Sequence, residues 1–254
     1  MLAKILFAGL LAVALITPSL ASPALADSKP GIAGVWIGAR TDPKAAYKDS
    51  PFPSPAPFTA LGREKSKFWS DPKNNLGARC LPGGGPAGVM SANPLFPLEI
   101  IQQDKQVTVL DELMQNVRRI YIDGRKHPGP DDLEKSWMGH AIGHWEGDAL
   151  VVDTIGVHAG SLNGSGTTVG TPGAPVEPRM PYTESLHMTE RLRALDGGKY
   201  LEDAITIDDP AIYTHPFQIK RYWRHAPELE MLEYICAETL GDEGANAGTA
   251  DIPK

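Results

Sequence analysis

The 254-residue chain has few cysteines, fewer basic than acidic residues, and no long apolar run beyond its first segment. Its two cysteines form no C-x-x-C pair, which excludes a cysteine cluster for a metal ion. The formal net charge of −7 argues against nucleic acid as a partner, because phosphate binding requires a basic surface. The lack of a second apolar run predicts no stable membrane insertion once the first segment is removed.

Several enzyme signatures are also missing. Gly164-Ser165-Gly166 is not a nucleophile elbow, because it lacks the G-x-S-x-G pattern and the strand-turn-helix setting that exposes such a serine. The Gly-rich stretch 81–85 precedes neither a predicted helix nor Lys-Ser/Thr, so it is predicted to be a loop rather than a phosphate cradle. With no dinucleotide fingerprint either, the sequence predicts no organic cofactor.

The first 26 residues have the form of a secretory signal peptide. Lys4 supplies the positive start, Ile5–Ile16 the apolar core, and Ala24-Leu25-Ala26 a small-residue cleavage site before Asp27. The alternative is a membrane anchor, but the apolar core is shorter than the roughly 20 residues that span a bilayer. A periplasmic or secreted protein is therefore expected.

Residues 27–238 are predicted to form a single domain, followed by a flexible acidic tail at 239–254. Thr59 can cap a helix that runs to about Trp69. The rest alternates short strand-forming segments with turn residues, a pattern typical of a β-sandwich or barrel. The segments are Ala33–Gly38, Leu98–Gln103, Val107–Glu112, Val117–Ile122, Ser136–Trp145, Ala149–Val157, Thr183–Leu195, Tyr200–Asp208, Phe217–Arg224 and Leu229–Ala237.

Two further features concern the connections. Segment 158–181 is a Gly/Ser/Thr/Pro loop with no predicted element of its own, typical of either a lid or a disordered loop. Cys80 and Cys236 are expected to form a disulfide that links an early loop to the last strand, since the compartment is oxidising. A catalytic thiol at Cys236, in the middle of that strand, is the alternative.

Alternation along the predicted strands places polar residues on otherwise apolar faces. Glu190 shares a face with Leu186, Met188 and Leu192, whereas His187 lies on the opposite face. Because an unpaired buried charge costs several kcal/mol, such residues should find partners. The other examples are Arg221 with Phe217, Ile219 and Trp223; His140 and His144 with Met138 and Ile142; and Asp153 with Val151 and Ile155.

Counting outward from the turns predicts two cross-strand pairs. A turn at Gly197-Gly198 places His187 opposite Asp208, and a turn at Glu146-Gly147 places His140 opposite Asp153. Opposed side chains have Cβ atoms about 5 Å apart, close enough for an imidazole–carboxylate hydrogen bond. Such pairs suit general acid–base catalysis, although a histidine bonded within a satisfied core network fits the same pattern.

Metal binding is a weaker interpretation of these histidines. His140 and His144 would lie about 13 Å apart on a strand, too far to share an ion. A site that combines His140 with His187 from another strand stays open.

Residues 137–154 read W-M-G-H-A-I-G-H-W-E-G-D-A-L-V-V-D-T. This resembles a large, largely uncharacterised family of exported bacterial proteins that share a W-M-G-H-x-I-G-x-W-E-G-D-x-L-V-V-D-T segment. Further similarity lies in 78–82, 117–121, 184–191 and 206–210. The resemblance implies a β-barrel-like exported domain and assigns no catalytic residue. We therefore predict an all-β fold, an antiparallel meander closing into a lipocalin-like barrel with one short N-terminal helix.

The leading functional hypothesis is an enzyme that acts on a small organic molecule by proton transfer, as a lyase, isomerase or hydrolase. The rival is a non-catalytic, lipocalin-like carrier with an apolar ligand in its barrel, and a structural envelope protein is a third option. The enzyme hypothesis assumes that the polar side chains point into the barrel together. It assigns acid–base roles to His187 with Asp208 and His140 with Asp153, substrate orientation to Glu190, and substrate binding to Arg119, Arg221, Tyr121 and Trp223.

Overall fold

The computed structural model describes residues 31–82, 85–163 and 178–236. The predicted signal peptide, the predicted tail and the Gly164-Ser165-Gly166 stretch lie outside these ranges. In the described part, no helix is long and apolar enough to cross a membrane.

The described chain is built mainly from strands, as the alternating pattern predicts. Alternation of buried and half-buried residues is clearest in β9, where Met188, Glu190 and Leu192 are buried between exposed or half-buried neighbours. The strands are β1 Gly34–Gly38, β2 Leu98–Gln102, β3 Gln106–Asp111, β4 Asn116–Tyr121, β5 His140–Glu146, β6 Ala149–Ile155, β7 Gly160–Ser161, β8 Pro181–Tyr182, β9 His187–Leu195, β10 Tyr200–Asp208 and β11 Phe217–His225.

Nine of these strands close into a barrel in the order β1-β11-β10-β9-β6-β5-β4-β3-β2, which confirms the predicted all-β barrel. Strand β1 completes the closure by pairing with both β11 and β2. One pairing differs from the expected antiparallel meander, since β4 and β5 run parallel. The reason is the long connection 122–139, which returns the chain to the end where β4 began, whereas a tight hairpin would reverse its direction.

The barrel interior is filled by side chains from all of its walls. Trp36 of β1 and Trp223 of β11 are among the largest buried side chains, with 2% and 1% of their surface exposed. They pack with aliphatic residues from the other strands into one continuous core. The further core residues include Leu98, Ile100, Val107, Val109, Ile120, Leu150, Val152, Met188, Leu192, Leu201, Ile205 and Ile219.

Helix α1, Ala60–Ser70, begins where the sequence predicts it. The hydroxyl of Thr59 accepts a hydrogen bond from the Gly62 backbone N–H at 3.0 Å, which caps the helix. The same hydroxyl donates to the Ala211 carbonyl at 2.7 Å and so ties α1 to the turn after β10. A one-turn helix α2, Gly85–Val89, begins at the last glycine of the stretch 81–85, so the prediction that no helix follows this stretch is wrong. Short 3-10 turns lie at Ala39–Thr41, Pro72–Asn74, Gly77–Arg79 and Leu113–Gln115.

The predicted last strand, Leu229–Ala237, is wrong in its described part, because residues 229–235 form no strand. The barrel is already closed between β11 and β2 by β1, so no free edge remains for another strand. This segment is held instead by the disulfide between Cys80 and Cys236, which confirms the predicted bond. The alternative of a catalytic thiol at Cys236 is wrong, since its sulfur is in that bond.

Segment 158–181 contains more structure than the sequence predicts. Strands β7 and β8 pair at its base through Gly160 with Tyr182 and Ser161 with Pro181. Residues 164–177, which hold most of the predicted loop, lie outside the described residues.

Gly62 provides a test of how α1 docks on the turn after β10. A Cβ atom at this position would lie 2.3 Å from the Ile212 carbonyl oxygen, so the backbone would have to move. Although alanine is favoured over glycine in a helix by about 1 kcal/mol, we expect Gly62→Ala to lower the free energy of unfolding by roughly 1–3 kcal/mol. Urea denaturation measures this, with Lys67→Ala on the exposed face of α1 as the control. A stabilised Gly62→Ala variant would contradict the docking.

Candidate functional site

Asp153 on β6 lies at the centre of a cluster of histidines. Its Oδ1 atom is 2.8 Å from Nε2 of His127, and its Oδ2 atom is 2.7 Å from Nε2 of His187 on β9. His127 in turn lies 2.8 Å from His140, with the two Nδ1 atoms facing each other. We call these four residues the Asp153 cluster.

The hydrogen bonds of the Asp153 cluster determine where the ring protons lie when the histidines are neutral. An ionised carboxylate only accepts, so Nε2 of both His127 and His187 must donate to Asp153. The Nδ1 atom of His127 is then unprotonated and accepts from Nδ1–H of His140. This leaves Nε2 of His140 and Nδ1 of His187 as lone-pair nitrogens that can accept a proton.

Burial and neighbouring charges shift two pKa values in the Asp153 cluster. Partial burial would raise the pKa of Asp153, but the hydrogen bonds from His187 and His127 outweigh it and lower that pKa. For His140, partial burial lowers the pKa first, followed by repulsion from His127 and Arg125. The lowered pKa of Asp153 favours its ionised form, and the lowered pKa of His140 favours its neutral form near neutral pH.

Tyr121 and Arg125 extend the cluster on the side of His140. The Tyr121 ring lies 5.6 Å from the His140 ring, measured between centroids, and the Arg125 guanidinium lies 3.8 Å from the Tyr121 centroid. Arg125 also donates to the Asp123 carboxylate. Gly139, which precedes His140, allows the start of β5 to approach the end of β6, because its φ is +66° and a Cβ there would lie 2.6 Å from the Ile155 carbonyl oxygen.

The Asp153 cluster lies on the outer wall of the barrel rather than inside it. In β6 the buried residues Leu150, Val152 and Thr154 alternate with half-buried residues that include Asp153. The side chains of Asp153 and His187 are 37% and 45% exposed. The expectation that the histidines and Asp153 point into the barrel is therefore wrong, although the outer position leaves them accessible to a substrate.

The two predicted cross-strand pairs differ in outcome. His187 lies directly opposite Asp208, as turn counting predicts, but its hydrogen bond goes to Asp153 on the other neighbouring strand. His140 lies opposite Ile155 rather than Asp153, because the hairpin turns at Gly147-Asp148. The register is shifted by two residues, which keeps His140 and Asp153 on one face and leaves room for His127 between them.

His127 is the member of the Asp153 cluster that sequence reasoning missed. It belongs to the connection between β4 and β5, where no periodic pattern assigns side chains to a face. Only its type, a histidine in a segment between two predicted strands, could have indicated a role.

A second group of charged residues, the interior cluster, lies inside the barrel. Arg118 of β4 donates to both carboxylate oxygens of Glu190 on β9 and, at 3.0 Å, to the Thr154 hydroxyl of β6. Arg118, Glu190 and Thr154 are at most 1% exposed, and Asp203 beside them is fully buried. Glu190 thus lies on the opposite side of the sheet from His187, and the structure does not bring them together.

Asp203 is the unusual member of the interior cluster. Among the described residues, no N–H or hydroxyl group donates to its carboxylate oxygens. Burial raises the pKa of Asp203 far above its ordinary value, and the negative charge of Glu190 raises it further. Glu190 is paired with Arg118, and the raised pKa of Asp203 favours its protonated form.

The predicted substrate-binding residues are divided between the two faces. Tyr121 and Arg119 of β4 lie on the outer face, and Arg119 is exposed. Arg221 of β11 faces the interior and donates to the Ser50 carbonyl at 2.7 Å. Trp223 is buried in the core. Of these four residues, only Tyr121 contacts the Asp153 cluster.

A cavity of about 280 Å³ lies between α1 and the residues that lead into β9. Its walls include Phe68 and Trp69 of the helix, Tyr182 of β8, and Ser185, which lies two residues before His187.

No group of three or more His, Cys, Asp or Glu residues has a metal-binding arrangement within 31–82, 85–163 and 178–236. In the same ranges, His140 and His187 are linked through His127 and Asp153 by hydrogen bonds. Comparison with known proteins finds no family model and no curated protein that matches this chain. The family resemblance of segment 137–154 thus stays a prediction from the residues themselves.

Asp203→Asn tests the protonation of the interior cluster. A carboxyl group whose pKa is raised in the folded state destabilises the fold as pH rises from about 4 towards that raised pKa. We expect Asp203→Asn to remove this loss. The free energy of unfolding of the variant, relative to that of the wild type, should then rise by up to about 1.4 kcal/mol for each unit by which the pH increases. Urea denaturation between pH 4 and 8 measures it, with Asp208→Asn on the outer face of β10 as the control. An equal loss of stability at every pH would show that Asp203 is ionised.

The titration of His140 tests the electrostatics of the Asp153 cluster without a substrate. We expect an NMR midpoint below the ordinary 6.5, because burial and the nearby charges disfavour the imidazolium. Arg125→Gln removes one repelling charge and should raise the midpoint. Lys126→Gln, which changes the adjacent residue, should leave it unchanged. A His140 midpoint at or above 6.5 in the wild type would contradict the arrangement.

Proposed function

We propose that the protein is an exported acid–base enzyme that acts on a small organic molecule at the Asp153 cluster. The observation that carries the proposal is that one carboxylate holds two histidines, one on each oxygen, and that a third histidine is linked to it through His127. An imidazole oriented by a carboxylate and open to solvent is the usual form of a general base.

In the proposed reaction, Nε2 of His140 removes a proton from the substrate. The Nδ1 proton of His140 can then pass to Nδ1 of His127, whose other nitrogen donates to Asp153. The positive charge that develops is thereby brought next to the ionised carboxylate, which stabilises it. Return of the proton by the same route, from His127 to Nδ1 of His140 and from Nε2 of His140 to the product, completes a transfer that lyase, isomerase or hydrolase chemistry can use. His187, on the other oxygen of Asp153, offers a second oriented imidazole whose Nδ1 can accept a proton.

Substrate binding is proposed at the outer wall beside β4. The Tyr121 ring lies tilted against the His140 ring, and Arg125 adds a positive charge over the Tyr121 ring. Arg119 lies on the same outer face of β4, two residues from Tyr121. These groups suit a substrate with a flat portion and an anionic group. They replace Arg221, Trp223 and Glu190 in that role, because those three side chains lie inside the barrel.

The rival, a carrier with an apolar ligand in the barrel, has less support. The interior holds the polar side chains of Arg118, Glu190 and Asp203, and an apolar ligand would offer these buried groups no hydrogen-bond partner. The disulfide between Cys80 and Cys236 supports the proposed location outside the cytoplasm, since such bonds persist in oxidising compartments.

The proposal is tested with a panel of small organic acids, esters and lactones incubated with the protein in D₂O. Proton NMR detects both product formation and deuterium incorporation. We expect Asp153→Asn to reduce the turnover of any converted compound by about 100-fold or more, the usual contribution of general acid–base catalysis. The control is His144→Ala, an exposed histidine of β5 that bonds to Glu146 outside the cluster. Full turnover in Asp153→Asn would disprove the proposal.

His127→Ala tests the direction of proton transfer separately. This change disconnects His140 from Asp153 but leaves the His187–Asp153 hydrogen bond in place. If His140 is the base, the activity of His127→Ala should fall nearly as far as the activity of His140→Ala. Wild-type activity in His127→Ala would assign the base to His187 instead.

A further inference from the structure

The cavity between α1 and β8 is lined by aromatic side chains and by a polar segment that hydrogen bonds to a buried carboxylate hold in place. Phe68 and Trp69 meet edge to face with 5.1 Å between their ring centroids, and Tyr182 also lines the cavity. Trp69 and Tyr182 are 3% and 1% exposed, so core packing fixes both rings. A pocket between such rings fits a flat, apolar group.

The polar side of the cavity is held by the turn after β10. The carboxylate of Asp209 accepts from both the backbone N–H and the hydroxyl of Thr183, at 2.6 and 2.9 Å. The Thr183 hydroxyl accepts from the Ser185 N–H at 3.1 Å. Asp209 itself is fully buried, so this wall needs little reorganisation to receive a ligand.

The charges around the cavity favour an anion. Glu184 in the wall is neutralised by an ion pair with Lys135. Lys65 is half-buried, with its ammonium 5.9 Å from the Phe68 ring centroid, and no carboxylate among the described residues forms an ion pair with it. Its charge is therefore available to a ligand that enters beside the aromatic rings.

The size of the cavity suits a ligand with a single ring. Since an apolar cavity of about 150 Å³ holds one benzene molecule, a cavity of about 280 Å³ has room for a ring with a carboxylate group. Benzoate has about this size. We propose that this cavity is a binding site for a small aromatic carboxylate, with the ring against the aromatic side chains of the lining and the carboxylate on Lys65. The site is independent of the proposed catalysis, because no residue of the Asp153 cluster lines it.

Calorimetric titration of the full-length protein with benzoate, and with benzamide as the neutral analogue, tests this site. We expect benzoate to bind at one site with a Kd on the order of 1 mM or below, and benzamide about five-fold more weakly. Lys65→Met should weaken benzoate binding by about five-fold, to the level of benzamide, while Lys67→Met on the same helix leaves it unchanged. Ala211→Leu, which fills the half-exposed side of the cavity, should abolish binding of both compounds.

Thermal unfolding of each variant confirms that the fold is retained. The proposal is overturned if neither compound saturates the protein or if benzamide binds as tightly as benzoate. It is equally overturned if Lys65→Met and Lys67→Met have the same effect, or if Ala211→Leu binds benzoate normally. Activity measurements at the Asp153 cluster do not enter this test, so the two proposals can fail separately.

Discussion

The ion pair of Arg118 with Glu190, enclosed within the barrel, is the contact on which the rest of the arrangement depends. Removing one partner would leave a buried charge unpaired, at a cost of about 3–5 kcal/mol. Glu190 must therefore face inward, and because side chains alternate along a strand, His187 must face outward. The same holds for β6, where inward Thr154 receives a hydrogen bond from Arg118 and leaves Asp153 outside. One buried contact thus determines which groups meet the solvent.

The pKa values of two aspartates on opposite faces of the barrel wall are shifted in opposite directions. Outside, Asp153 is half-exposed and accepts from two histidines, which lowers its pKa. Inside, Asp203 is fully buried beside Glu190 and has its pKa raised. Desolvation acts in the same direction on both carboxyl groups, and the available hydrogen-bond donors decide the result. The carboxylate that orients histidines in this part of the barrel is therefore the one on the outer wall, Asp153.

The turn after β10 has a comparable role at the end of the barrel. Its backbone binds Thr59 and leaves no room for a side chain at Gly62, which positions α1. Its Asp209 fixes Thr183, which positions the residues that lead into β9. The aromatic cavity exists because both of its walls are attached to this single turn. The Asp153 cluster begins two residues after Ser185 in that cavity wall, so the same turn also sets where β9 starts.

The sequence by itself determined the barrel class, the capped helix, the disulfide and the side-chain alternation of each strand, because these follow from local patterns and pairwise chemistry. It also placed His187 opposite Asp208 by counting from one turn. Only the tertiary structure decided which face of each strand is interior, since both faces of β6 and β9 mix polar and apolar residues. It alone brought in His127, because a connection without periodicity gives no local rule for where its side chains lie. The closing of the barrel by β1 likewise left residues 229–235 without a strand to pair with, a long-range constraint that no local pattern contains.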